Sequence, residues 1–561
     1  MPKHPAGRAT STNRRDSGHV FVLRGDLTRL ACDAVLVPGD RGCFTAAGWA
    51  PLLPTRVPAE LYALAPKGWR DRSVSCFELP TGKLPDRAPR AFFADTGAGR
   101  GSPIAVFVDV VREFMQTAGA AVLEAPSRVL NRRECPLLAL PLVGTGLGGK
   151  RREPGEMLAE LLPALKEEAT AVGVDVALVL FSGEALAAAQ RERRGSRYHE
   201  TFAELTARQQ ELASGLAERA VQGELVTFLG AGVSVAAGLP SWSGLLERLF
   251  DDAAARRPEL RRHKEEFRDL GTLDRADWLR RHFADDREFR ACIRGAVGAR
   301  RHGLSHGLLA NLPVEASVTL NYDRLYETAA GAAQRPPTVL PYETARPDRP
   351  WLLKLHGCID HDEDIVLTRE DYLRYANRRA ALRGLVQAQL VMRHMLFVGF
   401  GLADDNVHSI LDDVRRAVRR GDDDSNDDSN MDDRDSSSFG TALQLLESEL
   451  QQDLWRGEIE VVGFAERPKA SRRVDPEAFT AAERKAARRL EIFLDAIAAR
   501  AGVASAHLLD DRYESVLTGT ERAERALLLE VRSALERHEE SGDPDSPLVR
   551  RLRSLLRDYG D

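Results

Sequence analysis

Paired cysteines are missing from this chain. Its six cysteines, Cys32, Cys43, Cys76, Cys135, Cys292 and Cys358, are scattered, and none forms a CxxC pair. That excludes a four-cysteine zinc module and a dense disulfide framework, and it points to a reducing, cytoplasmic setting with no structural metal. Aromatic residues are scarce at 6%, too few for a long stacking platform along single-stranded nucleic acid. An excess of one charge is also lacking. The chain has 79 Lys+Arg against 85 Asp+Glu, a net −6, which excludes a protein built mainly to coat nucleic acid. No apolar run reaches the roughly 18–20 residues of a membrane helix. The best runs, Val174 to Phe181 and Met395 to Leu402, have the length of buried strands. Lys3, Arg8, Arg14 and Arg15 are not followed by an apolar stretch, so residues 1–18 read as a disordered basic tail rather than a signal peptide.

What is present is enough chain for about three domains: 561 residues, 43% of them hydrophobic. Over 19–190, short apolar segments alternate with amphipathic stretches. Val20–Leu23, Ala34–Val37, Arg90–Phe93, Leu137–Leu140 and Val176–Leu180 predict strands, and Met157–Ala171 predicts a helix. Residues 191–222 read as a helical connector. A second unit over 223–465 predicts strands at Leu225–Leu229, Ser317–Leu320, Trp351–Leu355, Leu396–Gly399 and Ile459–Gly463, with helices at Trp242–Asp252 and Phe267–Arg301. Strands alternating with helices predict α/β layers around parallel sheets. The second unit is interrupted at 421–438 by a run with eight Asp and one Arg, which carries more negative charge than the whole chain's net −6. Such a run cannot bury apolar surface and reads as a disordered insertion. Residues 466–561 have helical periodicity, with candidate helices at Ala481–Ala499, Glu521–His538 and Leu548–Asp558.

Chemistry is suggested where strands end. Gly230-Ala231-Gly232-Val233-Ser234 and the following Gly238-Leu239-Pro240-Ser241-Trp242 lie between a strand and a helix. In an α/β fold this is where backbone N–H groups and side-chain-free glycines cradle phosphate. The spacing is not GxGxxG, so an ordinary dehydrogenase site is disfavoured, and a Gly-rich turn alone is equally the mark of a tight connecting loop. It is joined by Thr319-Leu320-Asn321-Tyr322-Asp323, by Lys354-Leu355-His356-Gly357 and by Val398-Gly399-Phe400-Gly401-Leu402-Ala403-Asp404-Asp405-Asn406. All three also end predicted strands. In one parallel sheet these ends would converge on one crevice, bringing an amide, a carboxylate and an imidazole to a bound nucleotide.

These four motifs, in this order over about residues 222–465, resemble the sirtuin-like superfamily, and within it the bacterial NAD-hydrolysing branch of anti-phage, Thoeris-like effectors. The resemblance implies NAD as substrate and no metal. It implies Asn321, Asp323 and His356 as catalytic residues. It also implies a nucleotide site built from Gly230, Ala231, Gly232, Ser234, Gly238, Leu239, Pro240, Trp242, Gly399, Phe400, Gly401 and Asp404. Sirtuin deacylases differ by their cysteine zinc module and by a PDFR run where this chain has Pro240-Ser241-Trp242-Ser243. Both differences speak against protein deacylation. His302 and His306 lie four apart on a predicted helix, a metal-ligand spacing. They have no third ligand in the pattern and read as a packed or solvent-facing pair.

In the first unit, Val22-Leu23-Arg24-Gly25-Asp26-Leu27-Thr28, Asp33-Ala34-Val35, Pro80-Thr81-Gly82-Lys83-Leu84-Pro85 and Pro141-Leu142-Val143-Gly144-Thr145-Gly146-Leu147-Gly148-Gly149 resemble, in that order, the macro domain. That resemblance implies a pocket for an ADP-ribose-like nucleotide with Gly25, Asp26, Asp33, Gly144, Thr145, Gly146 and Gly148 as candidate contacts. The asparagine run of hydrolytic macro domains is replaced by Leu36-Val37-Pro38-Gly39-Asp40, so the unit is expected to bind rather than cleave. Taken together, the chain is expected to be an NAD hydrolase releasing nicotinamide and ADP-ribose, or a cyclic form. It is expected to form a homo-oligomer, to be regulated by the first unit, and to be triggered by a phage or defence partner, the helical carboxyl terminus serving as an interface or trigger-sensing module. The alternatives are a non-catalytic NAD or ADP-ribose sensor and a zinc-free deacylase or ADP-ribosyltransferase.

Overall fold

A computed structural model describes residues 18–80, 88–97, 102–125, 133–145, 153–194, 198–419, 438–468, 476–502, 506–541 and 546–560. The basic tail up to residue 17 and the acidic run up to residue 437 lie outside them. The first sheet contains β1 (Val20–Arg24), β2 (Ala34–Gly39), β3 (Cys76–Glu78), β4 (Arg90–Asp95), β5 (Leu137–Pro141) and β6 (Asp175–Leu180), in the order β1-β6-β5-β2-β4-β3. Only β3 runs antiparallel to its neighbour. The second contains β7 (Leu225–Leu229), β8 (Ala316–Thr319), β9 (Thr338–Leu340), β10 (Trp351–Lys354), β11 (His394–Val398), β12 (Gly440–Leu446) and β13 (Ile459–Ala465), in the order β13-β12-β11-β7-β8-β10-β9. Every pairing in this sheet is parallel. Parallel strands are covered on both faces, which is why their sequences are nearly continuous apolar runs.

The helices that cover the sheets or border the site are α1 (Ile104–Leu123), α2 (Pro154–Val172), α3 (Gly183–Arg194), α4 (Ala207–Val221), α5 (Ala231–Val235), α6 (Trp242–Arg256), α7 (Lys264–Asp269), α8 (Thr272–Arg280), α9 (Asp286–Val297), α10 (Leu304–Ala310), α11 (Leu325–Ala332), α12 (Arg369–Arg378), α13 (Ala380–Met392), α14 (Asp405–Arg419), α15 (Pro476–Ala501), α16 (Gly519–Ser541) and α17 (Pro547–Asp558). Local signals set several boundaries. Pro154 opens α2, and Gly173 closes it in the left-handed region at φ 80°. Thr206 and Gln209 form a reciprocal capping box at α4, as Thr368 and Asp371 do at α12.

The layers follow from which side chains share a core. Val20, Val22, Ala34 and Leu36 face α1 and α2 on the outer side of the first sheet. The alternate residues, Phe21, Leu23, Val35 and Val37, share one core with Leu225, Leu229, Leu396 and Val398 of the second sheet, with α4, α10 and α15 included. The far face of the second sheet is covered by α13 and α14, through Val386, Leu390, Val407, Ile410 and Val414. A small cap built from α6 to α9 packs on Tyr322, Leu325 and Ile365. The region expected as helical over Phe267–Arg301 is broken because Gly271 and then Asp285 cap new helices. The short β3 and β9 and the strand β12 after the acidic run were not foreseen from the pattern.

The carboxyl-terminal helices are not one exposed module. α15 is a core helix, with Ile492, Phe493, Ala496 and Ile497 fully buried. Its buried polar residues Arg488, Glu491 and Asp495 are spaced by three and four, so they form one stripe. Arg488 donates from Nε to Asp175 Oδ2 at 2.9 Å and also holds Glu204. Glu491 pairs with Arg133 and accepts Ser305 Oγ at 3.2 Å. Asp495 accepts Arg193 Nη1 at 3.0 Å and lies 2.8 Å from His19 Nε2. Burial works against the Asp495 charge, but Arg193 and the bond from His19 outweigh it and hold its carboxyl below the usual carboxylate range. Asp495→Ala would leave the buried Arg193 charge without its carboxylate and His19 without its Nε2 partner. It is expected to cost about 3–5 kcal/mol, read as a lowered urea midpoint.

Candidate functional site

The carboxyl ends of β11, β7, β8 and β10 are neighbours in the second sheet. β8 lies on one side of β7 and β11 on the other, so the loops leaving these strands diverge and open a crevice at a switch point. Three of the predicted glycines are there because two loops meet backbone to backbone. Gly232 N–H donates to Gly399 O at 2.9 Å. A Cβ on Gly230 would sit 2.4 Å from Gly399 O, and one on Gly232 would sit 2.7 Å from Gly399 Cα. Gly399 itself has φ 64°, a region that side chains resist.

Under this turn lies a buried polar cluster. Asn321 Nδ2 donates to Gly230 O at 3.0 Å and to Ser234 Oγ at 3.2 Å. Ser234 Oγ donates to Asp323 Oδ2 at 2.8 Å and is 3.3 Å from His306 Nε2. Asp323 Oδ1 accepts the Leu325 N–H at 2.9 Å, at the start of α11. The Asp323 carboxylate is therefore engaged on both oxygens. Lys354, fully buried, holds the same loop from below by donating to Asp323 O at 2.5 Å and pairing with Glu327 at 2.9 Å.

The second cluster surrounds His356, which is only 1% exposed. Its Nε2 lies 3.3 Å from the Asn406 side-chain amide and 3.9 Å from Asp404 Oδ1. Tyr372 and Tyr375 of α12 meet the ring edge-on at 5.5 and 5.7 Å. Tyr372 OH donates to Asp404 Oδ2 at 2.6 Å. Burial pushes the His356 imidazole below its usual range, with Asp404 opposing that shift, so it is neutral at pH 7. Its Nδ1 is buried with no hydrogen-bond partner.

Of the other candidates, Ala231 and Gly238 lie in the first turn, and Leu239 belongs to the cap core beside Trp242, whose ring is 6.3 Å from that of Tyr322. Pro240 lies between them in the chain. Gly401 borders open space. The Phe400 side chain is turned away from the crevice into the core, 5.0 Å from the Phe228 ring. Asp404, expected on the nucleotide side, instead faces His356 and Tyr372. Tyr372, Asn406, His306 and Lys354 were not expected in the site. Asn406 is the last residue of the recognised turn, and Lys354 stands within the His356 motif, but neither was given a role. Tyr372 has no signal in the chain, because only the packing of α12 brings it there.

In the first unit, Gly25 and Asp26 follow β1. Asp26 Oδ1 accepts the Thr28 N–H at 3.0 Å and so caps its own turn. Gly144, at φ 75°, and Thr145 follow β5. Asp33 is not brought to them. It stands at the amino ends of β2 and β5, buried, where Oδ2 accepts the Leu137 N–H at 2.7 Å. Asp33 therefore aligns strands at the edge opposite the Gly144 loop. Gly146 and Gly148 lie outside the described residues. The turn after β1 docks on the second unit: Ala31 N–H donates to His302 O and His302 N–H donates to Arg29 O, both at 2.9 Å, and Arg24 N–H donates to Asn311 Oδ1 at 2.9 Å.

His302 and His306 are not on one helix, since α10 begins at Leu304. Both are buried, and no group of three His, Cys, Asp or Glu among the described residues could hold a metal ion. All six cysteines are free thiols. No helix among the described residues is long and apolar enough to cross a membrane.

Residues 315–426 match the SIR2-like domain family. Over 216 residues the chain is 31% identical to the NAD(+) hydrolase ThsA of Enterococcus faecium, covering 37% of this chain and 43% of that protein. It is 30% identical over 207 residues to the NAD(+) hydrolase ThsA of Bacillus cereus (strain MSX-D12), covering 34% and 40%. It is 25% identical over 236 residues to Defense-associated sirtuin 2 of Bacillus subtilis, covering 40% and 23%. The chain thus spans less than half the length of these curated relatives. Among solved structures, a macrodomain of Oceanobacillus iheyensis with MES bound aligns with 32% of this chain and 91% of its own, at 13% identity and a TM-score of 0.26.

Burial pushes the imidazoles of His302 and His306 down, to about 4 and about 3. In the unfolded chain both titrate near 6.5. Their contribution to stability is therefore complete above about pH 6.5 and is lost as pH falls towards those folded values, at up to about 1.4 kcal/mol per pH unit for each. Urea midpoints are expected to fall between pH 7 and pH 5, and less so in His306→Gln.

Proposed function

We propose that this chain is an NAD hydrolase that cuts the nicotinamide–ribose bond and acts as an anti-phage defence effector. The observation that carries this reading is the position of two polar clusters, Asn321 with Ser234 and Asp323, and His356 with Asn406 and Asp404, at the ends of the neighbouring strands β8 and β10, in a segment similar to NAD hydrolases. The turn after β7, from strand to helix, is the place where an α/β fold receives a pyrophosphate on backbone N–H groups. Bond cleavage passes through an oxocarbenium-like state. Asn321 holds a ribose hydroxyl or the attacking water, and the Asp323 charge balances the positive charge that develops. His356, neutral and with one ring nitrogen unpartnered, takes a proton from water or a ribose hydroxyl. Nicotinamide leaves as a neutral pyridine and needs no acid.

The first unit is read as a binding domain for an ADP-ribose-like nucleotide at Gly25, Asp26, Gly144 and Thr145, with control reaching the second unit through the Arg24–Asn311 and Ala31–His302 contacts. Its products, ADP-ribose or a cyclic form, its homo-oligomeric state, its cytoplasmic location and a phage-derived trigger belong to the same proposal.

Purified protein incubated with NAD, with and without phage lysate or candidate nucleotides, is expected to release nicotinamide. His356→Ala and Asn321→Ala should each lower turnover by about 10²–10⁴-fold. Silence of the wild type under every activating condition, or full turnover in both variants, would refute the reading. Calorimetry with ADP-ribose is expected to show binding that is weakened by Gly144→Val, whose added side chain would meet the Phe107 ring at 2.9 Å. No binding would leave the first unit a scaffold.

A further inference from the structure

We propose that Asp404 and Tyr372 are positioning residues for His356: Asp404 keeps the proton on Nε2, Tyr372 fixes Asp404, and Nδ1 is left as the proton acceptor. This rests on the NAD-hydrolase reading and assigns Asp404 a different task from the nucleotide contact expected of it.

The Asp404 carboxylate is held on both oxygens. Oδ1 accepts the backbone N–H groups of Asn406 and Val407 at 3.0 and 3.2 Å, where α14 begins. Oδ2 accepts the Tyr372 hydroxyl at 2.6 Å. A carboxylate tied in this way cannot swing away, and it stands 3.9 Å from His356 Nε2. Capping α14 needs one oxygen only. A tyrosine from another helix on the second oxygen is superfluous for a cap and useful for holding a charge opposite an imidazole.

The charge decides the tautomer. A negative oxygen beside Nε2 favours the form in which Nε2 carries hydrogen, the same logic by which a buried aspartate orients a catalytic histidine. Asn406 Nδ2 is 3.3 Å from the same nitrogen, and the oxygen and nitrogen ends of an amide are interchangeable by rotation. With its oxygen towards Nε2 it accepts that hydrogen. Nδ1, buried without a partner, then carries a free lone pair.

The groups around the ring are few. From α12 come the Tyr372 and Tyr375 rings, and just beyond it Arg379, which pairs with Asp364 at 3.4 Å. From the loop after β11 and the start of α14 come Asp404 and Asn406. Burial and Arg379 both disfavour the imidazolium, and Asp404 alone among the charges favours it. The basicity of the ring therefore depends on Asp404.

The test uses the full chain with Asp404→Asn, which keeps a capping side chain, and Tyr372→Phe, which keeps the ring against His356. Nitrogen NMR of labelled histidine, with His356→Ala supplying the assignment, reads the tautomer without any NAD present. Wild type is expected to show hydrogen on Nε2, and both variants should weaken that preference. In nicotinamide release, Asp404→Asn should lower kcat by about 10-fold to 100-fold with KM within about twofold. The acid limb of its pH–rate profile should move to lower pH, because the charge that favours the imidazolium is gone. Tyr372→Phe should shift both readouts the same way by less. A wild-type tautomer with hydrogen on Nδ1, an acid limb unmoved in both variants, or a Tyr372→Phe enzyme as fast as wild type or faster would overturn the proposal. If no form of the protein releases nicotinamide, the hydrolase reading fails while the NMR still decides the positioning pair.

Discussion

A charge taken out of water must find its partner, and in this protein that requirement falls on one helix. Arg488, Glu491 and Asp495 occupy a single stripe of α15 in the middle of the shared core. Each is matched by groups from a different part of the chain. Asp175 and Glu204 meet Arg488, Arg133 and Ser305 meet Glu491, and Arg193 and His19 meet Asp495. Apolar packing alone tolerates small slips, whereas an ion pair without water to replace it does not. The stripe therefore specifies where β1, β6, α3 and α10 sit relative to one another.

The consequence reaches the crevice. Ser305 binds α15, and its neighbour His306 binds Ser234 under the glycine turn. Asn311, at the end of the same short helix, clasps Arg24 of the first unit. α10 thus touches the core helix, the first sheet and the candidate catalytic cluster within eight residues of chain. The remaining precision comes from close approach. Gly230 and Gly232 admit Gly399 only because none of them has a side chain, and that approach is what brings the loops after β7 and β11 to a common crevice.

Much of this was legible in one dimension. Apolar runs mark strands buried on both faces, so β1, β2, β4, β5, β6, β7, β8, β10, β11 and β13 could be placed from local pattern. Polar and glycine-rich residues directly after such runs mark strand ends, so Asn321, Asp323, His356 and Gly399 could be grouped before any sheet order was known. The pattern was weaker where the burial signal is short or interrupted: β3 and β9 have three residues each, and β12 follows directly on the acidic run. The helical periodicity of 466–561 was visible, but periodicity does not tell a core helix from a surface helix when buried charges replace apolar residues, as they do in α15.

The sequence by itself determined the element types, the strand-end motifs and the absence of a cysteine metal module, because these depend on residues close together in the chain. Only the tertiary structure decided which polar side chains share a site. Asp33 was separated from Gly144 by strand register, Phe400 was claimed by the core, and Asp404 was turned to His356 by the hydroxyl of Tyr372. Those outcomes rest on contacts between elements far apart in the chain, where burial obliges each polar atom to find whatever partner the packing brings within about 3 Å.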